Sequence, residues 1–230
     1  MISLTKDARG RTIVVGEAGG AESHASLLGG LFKDAALPDL LERVAQIPSS
    51  AKGVVVVEGT TDESYLRLAA KVARRPDLVD DLYITPAGNA ERVVVQSVLL
   101  QRQTARPLLA LLDNDPPGRD AMKALTGRFK FQNKKEVLTV VEALPGVSAD
   151  FPAEAEDLFP SALMQRFVDE EGEEIVLAVK QRRPDGQWHY DFTATGKDLI
   201  IDFLERTATP KDLKLWVELL DLIRKRMGLA

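Results

Sequence analysis

Cysteine is absent from the 230 residues, which excludes disulfides and thiolate metal sites. Histidine is almost absent, and His24 and His189 alone do not make a histidine-rich zinc centre. A metal held by this chain must therefore sit among oxygen ligands, the preference of Mg²⁺, Mn²⁺ and Ca²⁺. No apolar run reaches the roughly 18 residues of a membrane span, and no charged–apolar–small leader follows Met1. The expectation is a soluble, cytoplasmic protein with no membrane partner. GxxxxGK followed by Ser or Thr is missing too, so the chain carries no phosphate-binding loop and no ATPase of its own. The net charge of -5 neither demands nor forbids a nucleic-acid partner, because the placement of charge decides that.

What the chain does have is a strand–helix alternation from Val54 to Val141. VVVVE (54–58) lacks the apolar–polar alternation of a half-solvated strand, as expected when both faces are covered. TDESYLRLAAKVARR then reads as an amphipathic helix with Thr61 as its cap. LYIT (82–85) predicts a second strand and ERVVVQSVLLQRQ a second helix. RPLLALLDND (106–115) is a third buried strand, GRDAMKALTG a third helix, and VLTVV (137–141) a fourth strand. This order predicts an α/β fold, a parallel sheet with helices on both faces. Such sheets take ligands at the carboxyl ends of their strands.

On either side the pattern differs. ISLTKDARGRTIVV predicts two short strands around a polar turn, and LLGGLFKDAALPDLLERVAQI a helical stretch broken by glycines and Pro38. EEIVLAVKQ and QWHYDFTA flank Arg183-Pro184-Asp185-Gly186, a hairpin signal. Two helices follow, GKDLIIDFLER with Thr195 as cap and PKDLKLWVELLDLIRKRM entered through Thr209 and Pro210. The expected division is an N-terminal segment over 1–50, a catalytic domain over 51–160, and a hairpin with helices, a small satellite, over 161–230.

Acids gather where ligands are expected. Glu58 ends the first strand, Asp62 opens the next helix, and Asp113 and Asp115 follow the third strand. Each alone has a bland reading: Asp62 complements a helix dipole, and DNDPPG is rich in turn residues. Together they are costly without cations, because like charges raise one another's pKa. A receiver-type phosphorylation domain would need paired acids after its first strand, which this chain lacks. Two basic stretches interleave aromatics: RFKFQNKK, with Arg128, Lys130, Lys134 and Lys135, and KQRRPDGQWHY, with Arg182 and Arg183. Both are candidates for gripping phosphates and stacking bases.

VVVVEGTTD followed by LLDND resembles the TOPRIM domain shared by topoisomerases, bacterial primases and several nucleases. EGTTDESYL, DNDPPG and EDLFP together resemble the overcoming-lysogenization-defect (OLD) nucleases. That resemblance implies an ATPase joined to a C-terminal nuclease that cleaves DNA with two Mg²⁺ or Mn²⁺ ions, Ca²⁺ being a non-catalytic substitute. It assigns Glu58 and Asp62 to one ion and Asp113 and Asp115 to the other. Glu154 and Glu156 complete the shell, with Asp157 an alternative. Glu58, Asp113 and a downstream lysine, Lys197, take the catalytic roles, with Lys180 or Lys211 as fallbacks. The implied partners are DNA and an N-terminal ATPase domain, whose tail the first segment resembles; a homodimer is left open. An RNA-maturation nuclease and a non-catalytic metal-binding module are the alternatives. A topoisomerase would need a tyrosine nucleophile, and Tyr65, Tyr83 and Tyr190 have no context for one.

Overall fold

A computed structural model describes residues 3–6, 12–15, 47–183 and 185–229, with 3–6, 12–15 and 180–182 described for backbone only. The chain divides into two units, Met1–Gln46 and Ile47–Ala230. In the first, β1 (Ser3–Lys6) and β2 (Thr12–Val15) pair antiparallel, with Ser3 opposite Val15. The helical stretch expected after residue 26 lies outside the described residues, as does His24.

The second unit is the expected α/β body. Its sheet runs β4 (Leu82–Pro86), β3 (Gly53–Val57), β5 (Leu108–Leu112), β6 (Val137–Thr139), every neighbour parallel. All five residues of β3 and of β5 are buried, which is why neither strand alternates in polarity. Val55, Val57, Leu109 and Leu111 join the main core with Tyr65, Phe203 and Trp216. Those three rings come from α1 (Thr60–Val72), α5 (Ala194–Thr207) and α6 (Lys214–Met227). The alternate residues of β3 and β5 face the other way, where α2 (Ala90–Gln103) packs on β5 and on α3 (Pro116–Lys123).

The remaining elements are α4 (Ser161–Glu171) and the antiparallel hairpin of β7 (Val176–Arg182) and β8 (Trp188–Phe192). The fourth strand is shorter than expected, since Val140–Ala143 tightens into a 3₁₀ turn. The helix starts also differ from the sequence reading. Gly59 caps α1, its N–H donating to Asp62 Oδ2 at 2.7 Å, so Thr61 is not the cap. Thr193 rather than Thr195 caps α5, accepting from the Gly196 N–H at 3.0 Å. Thr209 and Asp212 close a turn ahead of α6, which begins only at Lys214. Each error is a residue or a turn, because a cap is set by local backbone angles that composition does not fix.

The sheet order places β4 on one side of β3 and β5 on the other. That reversal makes a crevice at the carboxyl ends of β3 and β5, the switch point of an open α/β sheet.

Candidate metal centre

Glu58 and Asp113 leave adjacent strands into that crevice, and they are joined directly. The Asp113 N–H donates to Glu58 Oε1 at 2.9 Å, fixing the glutamate across the strand gap. Asp62 is held by the Gly59 N–H. Asp115 caps α3, Oδ1 accepting from the Gly118 N–H at 2.7 Å. A Cβ on Gly118 would collide with the carbonyl oxygen of Asp113, so only glycine lets the acidic loop turn this tightly.

Asn114, between the two aspartates, is a buried staple. Its N–H donates to the Ala153 carbonyl at 2.7 Å and its Nδ2 to the carbonyls of Ala149 and Phe151. These bonds carry the chain towards the 3₁₀ turn Ala155–Leu158, which presents Glu154 and Glu156 to the same crevice. Asp157 points away. Its Oδ2 accepts from the Glu154 N–H and contacts His189 Nδ1, both at 2.9 Å, and its Oδ1 lies 3.5 Å from Arg183.

The crevice is a cavity of about 390 Å³ lined by Glu58, Asp62, Asp113, Asp115, Glu154, Glu156 and Lys197. Lys197, in the first turn of α5, sets its Nζ 3.6 Å from Glu154 Oε2 and 3.8 Å from Glu156 Oε2. The sequence reading missed Gly88, Asn89, Thr61 and Asp191, which with Gly59 complete the lining. Gly88 and Asn89 arrive because the loop after β4 zips onto β3, the Gly88 N–H donating to the Glu58 carbonyl at 2.6 Å. Their only signal in sequence was position, Gly88 shortly past a strand and Asn89 at a helix cap.

Crowding moves the titrations. Burial, with Asp62 and Asp115 nearby, lifts Glu58 from 4.5 to about 7 against the opposing Asp113 N–H. Burial and the Glu156 charge raise Asp62 to about 6, although the Gly59 N–H favours its ionised form. Asp113 is pushed well above the usual carboxylate range by burial, Asp62 and Glu58. Burial also raises Glu154. Lys197 moves up, chiefly through Glu156, and stays a cation.

These residues fit a hard divalent cation. Every donor is oxygen, and Glu156 is buried with Oε1 accepting from the Tyr65 hydroxyl at 3.1 Å while Oε2 has no hydrogen-bond partner. Among the described residues no three His, Asp or Glu side chains close into a finished cation cage. The acids instead share a cavity with the Lys197 ammonium among them.

Among the described residues, neither basic stretch joins this cavity. Arg128–Lys135 leads into the amino end of β6, at the opposite edge of the sheet, and Lys130, Lys134 and Lys135 are exposed there. Phe131 is core, and Arg128 stacks over Phe129 at 5.4 Å, so these rings are not laid open for bases. Arg183 is buried between Asp157 and Asp185 rather than displayed on the hairpin tip. The Arg182 and Lys180 side chains lie outside the described residues. Lys211 sits in the turn before α6 and is absent from the cavity lining.

No protein-family model matches the chain, and no curated protein does. Solved structures give a different result. The chain is similar to the C-terminal region of an OLD protein from Xanthomonas campestris pv. campestris. The structure phased with platinum is 15% identical over 78% of this chain and 95% of that one, with a TM-score of 0.41. The structure phased with iodine is 16% identical over 79% and 98%, again at 0.41. Among the described residues no helix is long and apolar enough to cross a membrane.

Proposed function

We propose that this chain is a divalent-metal-dependent nuclease of the TOPRIM type that hydrolyses DNA phosphodiesters, the nuclease half of an ATPase–nuclease. The observation that carries the reading is the convergence of seven carboxylates and one lysine on a single cavity at the sheet's switch point. Glu58 and Asp62 would hold one Mg²⁺ or Mn²⁺, Asp113 and Asp115 a second, with Glu154 and Glu156 completing the shell. When bound, paired ions supply an activated water and stabilise the departing oxygen of a phosphodiester.

The chain's own residues do the rest. The Asp113 N–H keeps Glu58 aimed into the cavity, and the Tyr65 hydroxyl does the same for Glu156. Lys197, kept protonated by its acidic neighbours, cannot take a proton near neutral pH. Its part is therefore to offset charge that builds on the phosphate. The N-terminus of α5 adds positive potential beside it.

The test is cleavage of plasmid and linear DNA with Mg²⁺, Mn²⁺, Ca²⁺ or chelator, with structured RNA in parallel. Cutting with Mg²⁺ or Mn²⁺ and none in chelator is expected. Full nicking in excess chelator overturns the reading. Preference for the RNA makes this an RNA-maturation nuclease, and cation binding without cleavage a non-catalytic module.

A further inference from the structure

A second cavity, of about 330 Å³, opens at the amino edge of the sheet, where the start of β5 and the approach to β6 meet the last turn of α6. Arg106, Lys135 and Arg226 line it against a single carboxylate, Glu136, a net charge of about +2. Glu136 is already engaged, its Oε2 accepting from the Gln132 N–H at 2.6 Å. Arg106 donates to the Ser49 carbonyl at 3.3 Å, which neutralises nothing. Among the described residues Lys135 and Arg226 have no ion-pair partner, and the Arg226 Nε is buried without a hydrogen-bond acceptor.

Part of this has an ordinary cause, since Arg226 lies in the last turn of α6 and complements its dipole. The dipole does not account for three cations around one hollow, one of them with a buried Nε left unpaired. An anion of roughly two charges balances the three cations and Glu136. A carboxylate or a phosphodiester brings only one. A phosphate monoester brings about -1.5 to -2 near neutral pH, and its oxygens match the arginine fork. Leu108 and Met227 give the cavity an apolar wall for the body that carries the phosphate.

We propose that this cavity binds a phosphate monoester, borne either by a free nucleotide or by the 5′-phosphorylated end of a nucleic-acid strand. It lies at the opposite end of the strands from the acidic cavity and stands whether or not that cavity cleaves DNA.

The test is calorimetric titration of the whole chain with adenosine 5′-monophosphate and with one single-stranded oligonucleotide in 5′-phosphorylated and 5′-hydroxyl forms. The nucleotide or the phosphorylated strand should saturate a site, and the hydroxyl strand should bind at least about tenfold more weakly, the worth of a charge-assisted hydrogen bond. Arg226→Gln and Arg106→Gln should weaken binding similarly. Lys135→Gln, at an exposed loop position, serves if an arginine variant misfolds. A nucleotide that binds while the phosphorylated strand does not makes the free ligand the source; binding of both makes it the strand end. No saturable binding by either, or folded Arg106→Gln and Lys135→Gln proteins that bind as wild type, overturns the proposal.

Discussion

The two ends of the central sheet carry opposite charge and manage it in different ways. At the carboxyl edge, helices α1, α2, α3 and α5 all begin, and their unpaired N–H groups favour acids there. Asp62 and Asp115 take up that offer as capping groups. Glu58, Asp113, Glu154 and Glu156 exceed what the helix ends can absorb; burial and neighbouring charge raise the Glu58, Asp113 and Glu154 carboxyls, and a lysine is embedded among the acids. At the amino edge α6 ends, and Arg106, Lys135 and Arg226 collect around one cavity. Helix polarity explains the sign at each edge. It does not explain the crowding at one of them, and crowding is the mark of a site.

The largest effect should come from removing the cation that divides the acids. Lys197→Ala should lower DNA cleavage about 10²- to 10³-fold, the usual cost of one electrostatic donor, while Mn²⁺ and DNA affinities stay near wild type. Single-turnover rates at saturating metal check this. Normal cleavage would make Lys197 a counter-ion of the metal-free protein and nothing more.

Next in size is the loss of the staple. Asn114→Ala removes two side-chain hydrogen bonds made in a buried place, which should cost about 2–3 kcal/mol in urea unfolding. By contrast Asp113→Asn, which relieves repulsion and breaks no cap, should hold or raise the melting temperature of the metal-free protein. If Asp113→Asn destabilises as much as Asn114→Ala does, repulsion is not what distinguishes this edge.

The smallest effect is a slope. Because folding raises the Glu58 and Asp62 carboxyls, the folded chain binds more protons than the unfolded one between about pH 4 and pH 7. Stability without metal should therefore fall as pH rises through that window, and Glu58→Gln should flatten its upper part. Added Mn²⁺ should reverse the trend, because ligation needs the ionised acids and releases their protons. Melting temperatures at half-unit pH steps, with and without Mn²⁺, give the answer.

Much of this was legible in the chain before folding. Four valines without alternation announce a strand covered on both faces, and Glu-Gly and Asp-Asn-Asp after such strands mark one sheet edge. What stayed hidden depends on contacts between distant segments. Gly88 and Asn89 enter the cavity only because β4 lies beside β3. Arg183 reads as a displayed base until Asp157, on another element, is seen to bury it. Phe131 alternates with lysines as a nucleic-acid platform would, yet it faces the core. The choice among Glu154, Glu156 and Asp157 turns on a single 3₁₀ turn, whose Asp157 is claimed from behind by His189.

Lys197 lies far downstream of Glu58 and Asp113 in the chain. During synthesis the ribosome releases the strands and their acids first, and the ammonium that divides those acids follows only once the hairpin has been made. A nascent chain halted before α5 therefore carries the carboxylates but not the group assigned to charge relief.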